Sequence, residues 1–365
     1  MKKIKNIFIS SISQNAGKTT VSLGLYKIFQ ERGLKPAFLK PVGQQTVTVD
    51  EADVDKDSYL MGEVYRCRKK LKDMSPVTIG PGYTEQYIFN PQNEILRNRI
   101  LSSFNTLTKR KDSIIIEGTG HAGVGSVIDL SNADVAQMLG SKVLIIGEGG
   151  IGRSIDEIML NKALFDSCQV EVVGVILNKV LPEKMDKIKK VVTAGLKRKG
   201  LRLLGAIPFD PLLRDPTVGQ IMHFLKLKVL CGKEYLFRRV QNTIVAAMEP
   251  YNMVNYLTTG TLVLTSGDRV DNILVAVSTH LVTQGSKQHM AGIILTGGLM
   301  PNTKIMELLQ KSRIPVFISD EDTYTVARKI DHLICKIQKT DKDKIAEARQ
   351  MVKKFVDVDA IIENF

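Results

Sequence analysis

The chain has 365 residues, 44% of them hydrophobic and 24% charged, a length and balance suited to two or three globular domains rather than one small core. No apolar run reaches the roughly 18 residues a membrane-crossing helix needs. The start, MKKIKNIFISSIS, has too short an apolar stretch for a secretory leader and no small-residue cleavage site, so the expected location is the cytoplasm. The net charge of +13 is lysine-rich, dispersed and unaccompanied by any tryptophan, which argues against a nucleic-acid partner; the densest patch, RCRKKLK (66–72), reads as a solvated helix face.

In chain order, KNIFIS (5–10) is a short apolar run suited to a buried parallel strand. VSLGLYKIFQERG (21–33) has helical periodicity and stops at Gly33, and KPAFLKPVG (35–43) is a second strand. Residues 44–92 form a polar excursion with one helix near 56–66, followed by a helix over 95–110 and a buried strand, SIIIEGTG (113–120). Strands and helices then alternate through SKVLIIGEG, VEVVGVILNKV and LRLLGAIPFD, which implies right-handed βαβ units in a doubly wound, mainly parallel sheet ending near residue 216. The segment 211–225 is too apolar for a free linker and is expected to pack. A second αβ series follows: strand KLKVLCG, helix EYLFRRVQNTIVAAM, strand TLVLTSGDR, helix RVDNILVAVSTHLVTQG, strand MAGIILTGG, helix TKIMELLQKS, strand IPVFISD and a helix from 322. The expected division is 1–216, 217–350, and a C-terminal helix or tail over 351–365.

Chemistry concentrates in SISQNAGKTT (11–20). It lies between a strand and a helix, where backbone N–H groups and a helix N-terminus can cradle phosphate. Gly17 permits close approach, Lys18 supplies charge for the β and γ phosphates, and the Thr19 hydroxyl can ligate Mg²⁺. The glycine that usually opens such a loop is missing, and Ser11 is expected to take its role. Glu117, ending a buried strand, is a candidate metal ligand or water-orienting group, and Lys40 ends another strand at the same edge. In the second half, Asp268-Arg269 and Thr296-Gly297-Gly298 stand where strands end. They form either an anionic-effector site or a helix cap with a tight turn. Cys67, Cys168, Cys231 and Cys335 lack any metal or disulfide spacing. His121, His223, His280, His289 and His332 show no ligand pattern, although His121 follows the EGTG turn and is expected near the phosphates.

Five motifs in order, SxxxxxGKTTVSLGL, FLKPVGQ, IIIEGTG, GVILNKV and GAIPFDPLL, resemble the dethiobiotin synthetase-like P-loop domain of the cobyrinic acid diamide synthase-like ATPase group, in the version found at the N-terminus of long bacterial phosphotransacetylases. The second half resembles the DRTGG domain that accompanies it there, through GDR at Asp268 and Arg269, LTGG at Thr296 to Gly298, and IPVFISDEDTYTVARKI. The resemblance implies ATP and Mg²⁺ as cofactors. Ser13, Asn15, Ala16, Gly17, Lys18, Thr19 and Thr20 would form the nucleotide loop, Asn178 would read the adenine edge, and Ile207 and Pro208 would lie beside the base. It also implies metal contacts from Thr19, Asp57 and Glu117, with Lys18, Lys40 and Glu117 as the catalytic set.

The departures narrow what carries over. Ser13, Gln14, Asn15 and Ala16, and then Gly43, Gln44 and Gln45, replace the residues by which dethiobiotin synthetase binds its substrate. Ser13 stands where MinD-type ATPases have an extra lysine, and neither an acetyl-transferring nor a glutaminase domain is expected here. The expected function is a Mg-ATP-binding regulatory protein, homo-oligomeric, with a small-molecule effector at its DRTGG-like domain. The alternative is an ATP-dependent ligase that phosphorylates a small carboxylate or carbamate.

Overall fold

The computed structural model describes residues 4–283, 290–333 and 335–364. They divide into two compact units, residues 1–210 with 337–365, and residues 211–336. The first unit runs β1 (Lys5–Ser11), α1 (Lys18–Glu31), β2 (Pro36–Leu39), α2 (Lys56–Val64), α3 (Asn93–Thr108), β3 (Ser113–Glu117), α4 (Asn132–Met138), β4 (Lys142–Glu148), α5 (Gly152–Ser167), β5 (Val172–Val180), α6 (Met185–Lys197) and β6 (Leu203–Pro208). Its main sheet has six strands in the order β6-β5-β4-β1-β3-β2, all neighbours parallel. Helices cover both faces of such a sheet, so its strands are continuous apolar runs. Ile7, Phe8 and Ile9 of β1, Ile114 to Ile116 of β3 and Val143 to Ile146 of β4 are all inaccessible to solvent.

The excursion after β2 holds more than the one expected helix. Strands Thr46–Val49 and Ala52–Asp55 pair antiparallel, with Asp50 (φ 48) and Glu51 (φ 62) both left-handed in the two-residue turn, as the twist of a tight hairpin requires. Asp55 then caps α2 by accepting from the Asp57 N–H. This cap fixes where Asp57 stands.

The second unit runs α7 (Val218–Leu225), β7 (Lys228–Cys231), β8 (Asn242–Val245), β9 (Thr261–Ser266), α8 (Val270–Thr283), β10 (Gly292–Thr296), α9 (Thr303–Lys311), β11 (Val316–Ile318) and α10 (Thr323–Asp331). Its sheet order is β7-β11-β10-β9-β8, parallel except for the β7–β11 pair. Val218 and Ile221 of α7 are buried on one face of this sheet, so the 211–225 segment packs as part of this unit. The expected helix over EYLFRRVQNTIVAAM is not there. Lys233–Tyr235 is a single 3₁₀ turn, and Asn242–Val245 pairs parallel with Thr261–Leu264. The β-branched run Thr243, Ile244 and Val245 fits an edge strand, and the ladder to β9 overrides the helix-like spacing of the apolar residues. Residues 284 and 285 of the predicted helix after TLVLTSGDR, and His289, lie outside the described residues.

The C-terminal boundary also differs from expectation. Residues 337–365 belong to the first unit. There α11 (Lys342–Phe355) and α12 (Val358–Glu363) follow the second unit in sequence, and α11 buries Ile345, Ala348, Met351 and Val352. Its partner is α1, at Gly24: a Cβ on that glycine would lie 2.3 Å from Val352 Cβ. An amphipathic sequence shows that a helix is covered on one side but does not name the covering element.

Candidate functional site

The site gathers at the carboxyl ends of β1, β2 and β3, where the strand order reverses around β1 and where open αβ sheets bind ligands. The loop from β1 to α1 turns through two left-handed residues, Asn15 (φ 62) and Gly17 (φ 106). Ser11 is not one of them. It is the buried last residue of β1, so this loop has no need of glycine at its opening. Gly17 is the position that does: a Cβ there would fall 2.0 Å from Asn178 Nδ2. Asn178, near the end of β5, donates from Nδ2 to the Ala16 carbonyl at 2.8 Å and clamps the loop from beneath.

Gly17 offers the first turn of α1 no side-chain cap, and that turn carries no acidic residue. An uncapped first turn without acidic residues presents the positive end of the helix, where an anion is favoured. Lys18, only 7% exposed, donates from Nζ to Ser11 Oγ at 2.8 Å. The Ser11 hydroxyl in turn lies 2.5 Å from the Ser13 carbonyl and 3.1 Å from that of Gly120, so one serine ties the lysine to two loops. Ala16 is buried, Ser13 and Thr20 are half-buried, and Asn15 is exposed.

Beside the loop, four sequence-predicted residues meet. Thr19 Oγ1 is 3.0 Å from Glu117 Oε1 and 3.3 Å from Asp57 Oδ1. Lys40 Nζ donates to Asp57 Oδ2 at 3.0 Å, Glu117 Oε1 at 3.2 Å and the Gly118 carbonyl at 3.0 Å, which uses all three ammonium hydrogens. Lys40 and Asp57 are each 3% exposed and Glu117 is fully buried. Burial by itself would lower the Lys40 pKa, but the carboxylates of Glu117, Asp57 and Asp55 outweigh it and hold the ammonium above the usual lysine range.

Among the described residues no cluster of three or more His, Cys, Asp or Glu side chains could hold a metal ion. One hydroxyl and two carboxylates nevertheless fit a magnesium ion, which takes hard oxygen ligands and keeps waters and phosphate oxygens for the rest. The Lys40 ammonium between the carboxylates shows that this oxygen set is built around positive charge.

Sequence reasoning passed over the residues that hold these groups still. Ser22 donates to Glu117 Oε2 at 2.7 Å from a fully buried position. Its spacing of three from Thr19, one helical face, was the available signal. Asn132 bridges the loop after β3. It accepts from the Thr119 N–H and donates to the Thr119 and His121 carbonyls. His121 is exposed, with Nδ1 accepting from the Gly123 N–H at 3.2 Å. At the end of β6, Ile207 is fully buried, while Pro208 and the two residues after it are partly exposed.

The edge of the second unit is different in kind. Thr296 Oγ1 lies 2.6 Å from Thr323 Oγ1 and 3.2 Å from the Thr265 carbonyl. Gly297 (φ 78) and Gly298 (φ 68) donate to the Glu321 and Ser319 carbonyls, tying this turn to the loop after β11. Arg269 pairs at the surface with Asp271 at 2.8 Å.

Residues 5–217 match the family described as AAA domain, and residues 220–333 match the DRTGG domain. The phosphate acetyltransferase of Nitratidesulfovibrio vulgaris is 26% identical over 362 residues, covering 96% of this chain and 50% of that protein. The phosphate acetyltransferase of a Synechocystis species is 26% identical over 371 residues, covering 98% and 51%. The chain therefore spans about half the length of the curated relatives it matches. Among solved structures, the CBS and DRTGG domains of the regulatory region of Clostridium perfringens pyrophosphatase align over 45% of this chain and 77% of that one, at 17% identity and a TM-score of 0.27. The MinC:MinD complex of Aquifex aeolicus aligns over 57% and 83%, at 17% identity and a TM-score of 0.37. No helix among the described residues is long and apolar enough to cross a membrane.

Proposed function

Since the chain belongs to the AAA-domain family, with a DRTGG domain following in an arrangement that resembles the N-terminal region of phosphotransacetylase, we propose that it is a Mg-ATP-responsive regulatory protein. One observation carries this reading. An uncapped helix N-terminus, two buried lysines and a hydroxyl flanked by two buried carboxylates converge at one sheet edge. Thr19, Asp57 and Glu117 would hold the magnesium ion, which would neutralise phosphate charge when bound. Lys18 and the first turn of α1 orient the phosphates, Ser22 fixes Glu117, and Pro208 flanks the base. Asn178 meets the base with its amide while bracing the loop through Ala16.

The second unit receives the signal and binds a small effector at the Thr296–Gly298 turn. The protein acts in the cytoplasm, in keeping with Cys67, Cys168 and Cys231 carrying thiols. It acts as a homo-oligomer, supported by the exposed Tyr251 and Tyr256 of the second unit and tested by light scattering.

Lys18→Ala tests the site. ATP affinity by calorimetry should fall at least about a hundredfold while the melting profile is kept; unchanged affinity would sink the assignment. The second reading is an ATP-dependent ligase, favoured by Lys40 standing beside the metal-site carboxylates near the exposed Gln44 and Gln45. Phosphate release from Mg-ATP with a panel of amines and carboxylates plus bicarbonate separates the two. A steep rise with one compound identifies a ligase, and slow release indifferent to all of them identifies a nucleotide sensor.

A further inference from the structure

Lys40 makes contacts that its expected role does not require. A lysine that serves a phosphate needs free N–H groups, but all three of its hydrogens go to Asp57, Glu117 and Gly118. Glu117 is equally committed. Its Oε1 is shared by Thr19 Oγ1 at 3.0 Å and Lys40 Nζ at 3.2 Å, and its Oε2 takes Ser22 Oγ at 2.7 Å. A divalent cation bound by Thr19, Asp57 and Glu117 would compete with Lys40 for Glu117 Oε1, and it would share Asp57, whose Oδ1 faces Thr19 while Oδ2 holds Lys40.

Resting on the Mg-nucleotide reading above, we propose that Lys40 and the divalent cation are alternative counter-ions of Asp57 and Glu117, so that Lys40 releases the carboxylates only when a phosphate is present to receive its ammonium. The physical reason is burial. The Lys40 side chain is 4% exposed, and an ammonium displaced there without a new anion would be a buried unpaired charge. The place provided for an anion is the N-terminus of α1, and Thr19, which touches both carboxylates, is that helix's second residue. Phosphate and metal thus enter together: the phosphate takes the lysine and the carboxylates take the metal. The chain without nucleotide excludes divalent ions by means of its own side chain.

The test uses the full chain and Mn²⁺ alone, read by electron paramagnetic resonance and by thermal melting. Wild type without nucleotide should leave Mn²⁺ free and its melting temperature unmoved. Lys40→Met should bind Mn²⁺ at least about tenfold more tightly than wild type and be stabilised by it, since its two carboxylates have lost their counter-ion. Lys40→Arg, which keeps a cation, should exclude Mn²⁺ as wild type does, and Thr19→Ala in the Lys40→Met background should remove the gain. The proposal is overturned if nucleotide-free wild type binds Mn²⁺ as tightly as Lys40→Met, a comparison with Lys40→Ala serving if the methionine variant fails to fold. Tight Mn²⁺ binding to nucleotide-free wild type overturns it even without a usable variant. Such a failure with Lys18-dependent ATP binding intact removes the exchange alone; loss of that binding removes the Mg-nucleotide reading as well.

Discussion

Two parallel sheets in one chain furnish their carboxyl edges in different ways. Around the ends of β1, β2 and β3 stand Lys18, Lys40, Asp57 and Glu117, all buried. Around the ends of β9, β10 and β11 the buried polar side chains are Thr265, Thr296 and Ser319, while the charges there, Arg269 with Asp271 and Lys329 with Glu321, pair in solvent. Burying charge is costly, so a chain that buries four charged groups at one edge has kept them for chemistry or for a charged ligand. A hydroxyl-lined edge with its glycine N–H groups already bonded is cheap to fold and suits a module that responds rather than reacts. Both edges stand where open αβ sheets bind ligands, and their side chains differ in charge and burial.

The comparison is broken most forcefully at Lys40. Lys40→Met should destabilise the metal-free chain by about 3–5 kcal/mol, because two buried carboxylates lose their counter-ion. Lys329→Met in the second unit, where side chains are 43% and 41% exposed, should stay within about 1 kcal/mol. Denaturant unfolding of both variants checks this, and equal effects would erase the distinction between the edges. Next comes Gly17→Ala, which meets both a left-handed φ of 106 and Asn178 Nδ2 at 2.0 Å. It should cost about 1–3 kcal/mol and abolish ATP binding in a calorimetric titration. Thr296→Val sharpens the other side. It removes a buried hydroxyl bonded to Thr323 and Thr265, costs about 1 kcal/mol, and should leave ATP affinity at the wild-type value.

The same contrast explains what could be read in the sequence. The strand-loop-helix context of Gly17, Lys18 and Thr19, and the apolar runs ending in Lys40 and Glu117, are local patterns, and the structure brings their residues to one edge. Asp57 was legible only by family resemblance, because its place depends on a glycine-free hairpin and on the Asp55 cap. Ser22 and Asn132 act across the site: the spacing of Ser22 from Thr19 shows a shared helical face but not its partner Glu117, and nothing beside Asn132 in sequence states its partners. In the second unit the strand over Asn242–Val245 was hidden because its apolar spacing suits a helix, and pairing with β9 decided otherwise. The return of α11 to α1 was hidden for the same reason: Gly24 and Val352 lie in different halves of the chain.

A comparably small effect is expected at the far edge of the second sheet. Cys231 ends β7, with Sγ 3.8 Å from the Ile314 carbonyl. Burial pushes its thiol up from an ordinary 9.0 to about 11, against a smaller opposing hydrogen bond from Val316, so the neutral form is favoured in the folded chain. The unfolded thiol therefore loses its proton first as pH rises. The contribution to stability is full below pH 9, declines through the window to about 11, and is gone above it. Because the thiol is only about half buried, solvent screening holds the loss to about 1 kcal/mol. Cys231→Ala should remove that part of the slope, while the raised tyrosines of the first unit, Tyr26 and Tyr65, contribute equally to both chains. Parallel unfolding curves for wild type and Cys231→Ala between pH 9 and 11 would show that this thiol is not desolvated, and that the second sheet shields even its neutral groups less well than the first shields its charges.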